Sequence, residues 1–352
     1  ILAQVMLIVA RVIVCLGLGW LQPPWPVERA FVSYIGGGKQ EYLDLAIVLG
    51  LSLRNHSPQV PRLLLYSEFV GSDVEKMTAV GWAPMGVHSL AAPPEARTVG
   101  EEDGNQLTHV FGKFHAWRLN ITRAVLLDVD LLILQSGLES LLDAPLLLSY
   151  QNTTEACPWG FRAPSSHRDC AKAQAPPACA PGIGCVRASR KPYQVGMVKD
   201  CPRCLSNWNS GVIVLRPSLR AFEKLVKTAH RLGMVGDQHT FNRVFHGAVA
   251  PVPFWSNVFV DEPNIACERE TEVVAVHFSG PVKPTSINSR YWKAMLTGDS
   301  VVTSEERKQY ACRETSRSWY QLYFSVLLQS RSWLSPMLRE ALSRFLDSGV
   351  EL

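Results

Sequence analysis

Four consecutive apolar residues, Ala124-Val125-Leu126-Leu127, run directly into Asp128-Val129-Asp130. An uninterrupted apolar run of this length fits a strand buried on both faces, which requires helices above and below a sheet. The upstream sequence supplies the other parts. Ala30–Ile35 is a short apolar strand ending in Gly36-Gly37-Gly38, Tyr42–Leu53 has helical spacing, and Arg62–Tyr66 is a second strand. A short helix over Val74–Val80, a third strand over Gly86–Ser89 and a helical segment over Lys113–Leu119 follow. This β-α-β-α-β rhythm predicts an α/β fold with a mostly parallel central sheet, and ligands bind such sheets at the C-terminal ends of strands. Asp128 and Asp130 stand at such an end.

Regularity returns after residue 206. Gly211–Leu215 reads as a buried strand, Pro217-Ser218 opens a helix through about Arg231, Asp237–Phe245 is a short helix, and Val273–Phe278 is a strand. From Ser304 the tail is amphipathic, with Trp319, Leu322, Val326, Leu338, Leu342 and Phe345 on apolar spacings that fit core packing.

Residues 151–206 interrupt the pattern with Pro, Ala, Gly and six of the nine cysteines, and read as a disulfide-tied loop insertion. Cys15 lies in the N-terminal apolar run, leaving eight cysteines elsewhere, an even number that suits an oxidising compartment. Cys201-Pro202-Arg203-Cys204 has redox-motif spacing but no thioredoxin-like surroundings, so structural disulfides are the favoured reading over redox or zinc chemistry. Three sequons, at Asn55, Asn120 and Asn152, agree with passage through the secretory pathway.

Residues 1–21 carry one charge, Arg11. About 20 apolar residues can span a bilayer as a helix. Trp20 and Trp25 suit the interface, and Pro23, Pro24 and Pro26 stop the helix. The expected organisation is therefore a signal anchor over 1–22, a Pro-rich linker over 23–28, a catalytic domain over 29–300 and a helical tail over 301–352. A cleaved signal peptide and a buried helix are the alternatives, and Arg11 keeps both open. The anchored reading implies a single-pass type II protein of the Golgi or another secretory membrane, with its catalytic domain lumenal. A net charge of +4 without a block of Lys and Arg excludes a nucleic-acid surface.

The chemistry-bearing residues begin with the Asp128–Asp130 pair. Two carboxylates at i and i+2 after a strand offer hard oxygen ligands to Mn²⁺ or Mg²⁺, which bridge phosphate oxygens. His277 ends another apolar strand and is followed by Gly280, which permits close approach of a phosphate, and Lys283, which supplies a charge for it. Lys113 is a further cation upstream of the acidic pair.

In order, the chain carries AFVSY…Tyr42…AIVLGLSL, Lys113-Phe-His-Ala-Trp117 before AVLLDVDLLIL, Asn209-Ser-Gly-Val-Ile-Val-Leu-Arg-Pro-Ser218, Gly236-Asp237-Gln238…Asn242, and His277-Phe-Ser-Gly280-Pro-Val-Lys283-Pro284. Together these resemble glycosyltransferase family 8, the glycogenin-like family, over about residues 29–292. The chain departs from that pattern at Thr285, where the family usually has Trp, at Val129, often Ala, and in an opening strand two residues longer before Tyr42.

The resemblance implies a GT-A-type, Rossmann-like nucleotide-diphospho-sugar transferase domain, a UDP-sugar donor, Mn²⁺ (or Mg²⁺), and retention of anomeric configuration. It assigns Asp128, Asp130 and His277 to the metal, and Gly280 and Lys283 to the diphosphate. Tyr42 is assigned to the uracil, with Ser33 in the strand beside it. Lys113, Asn209, Ser210, Asp237 and Gln238 surround the donor sugar. Asp237 and Gln238 are the candidate catalytic residues, with Asp237 as a transient nucleophile, a stabiliser of the oxocarbenium-like sugar, or an orienting group for Gln238. The implied acceptor is a glycan, polysaccharide or protein. A catalytically silent lumenal sugar-nucleotide binder and a glycogenin-like self-glucosylating primer are the competing readings.

Overall fold

The computed structural model describes residues 19–90, 110–143, 194–199, 208–233, 236–259, 273–279 and most of 322–343. Gly280, Lys283, most of the Cys-rich insertion, all nine cysteines, the Asn152 sequon and residues 1–18 lie outside them.

The elements in order are β1 (Arg29–Ile35), α1 (Gln40–His56), β2 (Arg62–Tyr66), α2 (Gly71–Ala79), β3 (Ala83–Gly86), a 3₁₀ helix over Phe111–Arg118, β4 (Arg123–Leu127), β5 (Leu131–Ile133) and a 3₁₀ helix over Leu138–Asp143. β6 (Val195–Lys199), β7 (Trp208–Leu215), α3 (Leu219–Arg231), α4 (Asp237–Val244), β8 (Val249–Pro251), a 3₁₀ turn over Phe254–Ser256, β9 (Val258–Phe259) and β10 (Ala275–His277) follow.

Seven strands form the central sheet in the order β3-β2-β1-β4-β7-β6-β8. The pairings β3-β2, β2-β1, β1-β4 and β6-β8 are parallel, and β7 is antiparallel to both its neighbours. The mostly parallel sheet expected from the sequence is present. Alternation along the strands splits the core in two. Phe31, Val125, Leu127, Val212 and Val214 face one side with α1 and with Tyr323 and Leu327 of the tail. Val32, Tyr34, Leu126, Ile213 and Leu215 face the other with the Phe111–Arg118 helix, α3 and α4. Each fully buried Leu or Phe contributes roughly 1.5–3 kcal/mol, so burial on both faces explains the apolar runs.

A second, three-stranded sheet, β5-β10-β9, leaves the first immediately after Asp130. β10 runs antiparallel to β5, pairing His277 with Leu131, and parallel to β9, pairing His277 with Phe259. This short sheet brings His277 back beside the acidic pair.

Four expectations need correction. The third strand is Ala83–Gly86, not Gly86–Ser89; it pairs only with β2, an edge position where Pro84 is tolerated. The segment around Lys113 is helical as expected, but it is a 3₁₀ helix and runs from Phe111 to Arg118, with its aromatic side chains packed against α4. Val195–Lys199, assigned by composition to the loop insertion, is a strand inside the sheet between β7 and β8. In the tail Leu322 is 40% exposed, while Tyr323 and Leu327 take the buried positions beside Val326 and Leu338.

The end of the predicted anchor is extended rather than helical. Leu21 bridges Leu119: its N–H donates to Arg118 O at 2.6 Å, and its carbonyl accepts from Asn120 N at 2.9 Å. No helix among the described residues is long and apolar enough to cross a membrane.

Candidate active site

β4 ends at Leu127, and Asp128 continues its direction. The backbone N–H of Asp128 donates to Gly211 O at 2.8 Å, fastening the acidic loop to the start of β7. The carbonyl of Asp130 accepts from Phe278 N at 2.9 Å, fastening the other end of the loop to β10. The loop is thus held at both aspartates by the two sheets.

His277 Nε2 lies 3.2 Å from Asp130 Oδ1 and 3.9 Å from Asp128 Oδ2. One ligand atom from each of the three residues falls within 4.8 Å of the others, the only such group among the described residues. The imidazole is held by packing, with Phe259 at 5.5 Å between centroids. Its Nδ1 is buried with no hydrogen-bond partner among the described residues, and Nε2 is the nitrogen that faces the two aspartates.

Lys113 Nζ sits between two carboxylates, 2.6 Å from Asp128 Oδ1 and 2.8 Å from Asp237 Oδ2. Burial disfavours its ammonium, but Asp128 and Asp237 outweigh burial and hold Lys113 charged, its pKa above the usual lysine range. Burial also pushes the Asp128 carboxyl up; Lys113 opposes the rise, and Asp130 and Asp237 add to it. Asp128 and Asp237 therefore share one ammonium, and Asp130 adds a further mostly buried carboxylate to the cluster. A divalent cation removes that imbalance, and two carboxylates with an imidazole form a donor set suited to Mn²⁺. Because Lys113 occupies Asp128 Oδ1, Oδ2 is left facing His277 and Asp130, and the residues fit the ion.

Lys113 and Asp237 meet because an aromatic stack joins their helices. Phe114 packs edge-on against Phe241 at 5.3 Å, and Trp117 stacks on Phe241 at 5.3 Å and Phe245 at 5.8 Å. Gly112 lets the same helix lie directly on the Tyr34 ring, where a Cβ would collide.

A chain of amides lies beside the ionic cluster. Asn209 Oδ1 accepts from Gly211 N at 2.7 Å and from Asn257 Nδ2 at 2.8 Å. Asn209 Nδ2 donates to Gln238 Oε1 at 3.1 Å, which also accepts from Ser210 N at 3.3 Å. Asn242 ties α4 to β7 through Trp208 N and O, both at 2.8 Å.

The structure thus brings together Lys113, Asp128, Asp130, Asn209, Asp237, Gln238 and His277. Ser210 contributes its backbone N–H. Ser33 is fully buried, and its hydroxyl donates to Leu127 O at 2.7 Å, so it braces β1 against β4 instead of facing a ligand. Tyr42 is half-buried in the first turn of α1, just beyond the C-terminal end of β1. Two positions escaped the sequence reading. Gly211, quoted within the Asn209-Ser-Gly motif but given no role, makes room for His277, and Asn257, which no motif includes, carries the far end of the amide chain.

No family model matches the sequence, and neither does any curated protein. Solved structures do share its fold. The glycosyltransferase GlyE of Streptococcus pneumoniae TIGR4 aligns with a TM-score of 0.51 at 13% identity, over 93% of this chain and 65% of GlyE. The bifunctional glycosyltransferase WbbM aligns at 0.49 and 12% identity, over 83% of this chain and 53% of WbbM. The galactosyltransferase LgtC, solved with donor and acceptor sugar analogues, aligns at 0.48 and 13% identity, over 80% of this chain and 99% of LgtC. The chain therefore spans about half of WbbM and two thirds of GlyE. At these identities the likeness is one of fold alone, a GT-A-type arrangement; in this chain the acidic pair follows the C-terminal end of β4.

Proposed function

We propose that the chain is a retaining glycosyltransferase that moves a hexose or related sugar from a UDP-sugar to a glycan, polysaccharide or protein acceptor, with Mn²⁺ bound by Asp128, Asp130 and His277. The observation that carries this reading is the convergence of those three ligands with the Lys113–Asp237 ion pair at the end of β4. The ordered motifs of a family 8 glycosyltransferase and the fold shared with GlyE support it.

When bound, the ion supplies charge to the departing diphosphate. The chain's own groups do the rest. Lys113 holds Asp128 and Asp237 at fixed separation, so the anionic edge of the pocket forms before the donor arrives. Asp237 is committed through Oδ2 to Lys113, which leaves Oδ1 for a sugar hydroxyl or for charge developing at the anomeric carbon. That arrangement favours Asp237 as an orienting and stabilising group over a nucleophile. Gln238 and Asn209 line the same edge. The apolar run at 1–21 and the cysteine pattern favour a secretory-pathway, Golgi-type location.

The test is a screen of UDP-sugars that reads UDP release. Release from one or more donors with Mn²⁺, abolished by EDTA, is the expected result. Tight UDP binding with no release from any donor, with or without acceptors, would overturn the transferase reading in favour of a silent binder.

A further inference from the structure

The amide chain fixes which end of Gln238 faces a ligand. A backbone N–H can only donate, so Gly211 N at 2.7 Å makes the facing atom of Asn209 an oxygen. The other end of Asn209 is then an NH₂, and the Gln238 atom it meets at 3.1 Å must be a carbonyl. Ser210 N, 3.3 Å from that atom, independently requires the same assignment. Both lone pairs of Gln238 Oε1 are thereby used, which leaves its NH₂ as the group available to a bound molecule.

Asn257 closes the chain. It is 2% exposed at the end of the Phe254–Ser256 turn, and its NH₂ donates to Asn209 Oδ1 at 2.8 Å. Its own Oδ1 is buried with no hydrogen-bond partner among the described residues. A buried unpaired carbonyl is unfavourable. A residue kept for packing alone would do better as leucine, so the NH₂ contact is what the position requires.

We propose that Asn257 is a positioning residue that, through Asn209, locks the Gln238 amide with its NH₂ toward the donor. Gln238 then acts as a hydrogen-bond donor to an oxygen of the sugar or diphosphate, and its carbonyl takes no part in bond formation at the anomeric carbon. This inference rests on the functional reading above only in naming what the NH₂ meets.

Asn257→Leu in the full chain tests it, with Asn257→Asp in its place should the leucine variant not fold. The side-chain NH₂ signals of Gln238, identified by their loss in Gln238→Glu, are compared in ¹H–¹⁵N spectra. In Asn257→Leu they move or double, while the melting midpoint stays within about 3 °C of wild type. With UDP-glucose or UDP-galactose and Mn²⁺, kcat for UDP release falls about 10-fold with KM within about 2-fold. Adding Gln238→Leu to Asn257→Leu costs little more than Gln238→Leu alone. Unchanged Gln238 signals, or fully additive losses, would overturn the proposal. Should wild type release UDP from no donor, the functional reading fails, and the spectra alone decide the amide chain.

Discussion

The ring of His277 lies directly over Gly211: a Cβ at residue 211 would stand 2.5 Å from Cε1 and 2.6 Å from Nδ1. It would also stand 2.8 Å from Asn209 Oδ1. A glycine in the middle of β7 weakens a strand by itself, and here it lets the imidazole and the Asn209 amide approach the backbone together. The candidate metal ligand from one sheet is thus seated on a strand of the other.

Gly211→Ala is therefore expected to displace His277 without unfolding the sheet. Mn²⁺ affinity should fall about 10–100-fold, the range for groups that orient metal ligands. A Mn²⁺ titration followed by electron paramagnetic resonance reads this directly. Wild-type affinity in the alanine variant would show that the ring does not depend on the glycine.

Lys113→Met leaves Asp128 and Asp237 without their shared cation, beside the Asp130 carboxylate. Removing one partner of a buried pair costs about 3–5 kcal/mol. The melting midpoint should fall most in EDTA and recover in part with Mn²⁺, because the ion relieves the same repulsion. Thermal melts with and without the metal check it, and an equal loss in both conditions would contradict the charge account.

Trp117 holds the Lys113 helix against α4 through Phe241 and Phe245. Trp117→Ala is expected to cost about 3–5 kcal/mol of stability. Trp117→Phe should cost less and keep the Lys113–Asp237 pair. Urea unfolding of both variants measures the difference.

His115 sets a pH dependence away from the metal ligands. Its Nε2 donates to His88 O at 2.8 Å, Nδ1 accepts from Arg118 at 3.1 Å, and the ring stacks on Phe222. Burial pulls its pKa down to about 4, and Arg118 adds to the fall although the His88 carbonyl opposes it. The folded state thus keeps His115 neutral while the unfolded chain takes up a proton below about 6.5. Its full contribution to stability is present above pH 6.5 and is lost as pH falls toward 4, about 3 kcal/mol in all. Urea unfolding across this range should show a steeper loss for wild type than for His115→Gln; parallel curves would contradict the assignment.

The strands at the centre of the sheet were legible because each is a short apolar run buried on both faces, as in Ala124–Leu127 and Gly211–Leu215. The acidic pair, Lys113, Asp237 and His277 were legible through their order along the chain. What escaped depends on partners remote in sequence. Val195–Lys199 becomes a strand only because β7 and β8 flank it, whereas its neighbours in sequence are rich in Pro and Cys. The third strand lies earlier than expected, over Ala83–Gly86, where Pro84 is tolerated only because the strand is at the edge of the sheet. Asn257 follows a three-residue turn and meets Asn209 from 48 positions away, a relationship no local pattern announces. Ser33 lies in the strand beside the Tyr42 position, but its hydroxyl donates to Leu127 O across the β1–β4 pairing, a partner 94 positions away.

The central claim is that Asp128, Asp130 and His277 hold the divalent ion on which sugar transfer depends. Mn²⁺-dependent UDP release by Asp128→Asn, beside wild type and with the fold checked by circular dichroism, tests it most directly. The account predicts a loss of about 100-fold or more in a protein that remains folded. Wild-type release by Asp128→Asn would contradict it.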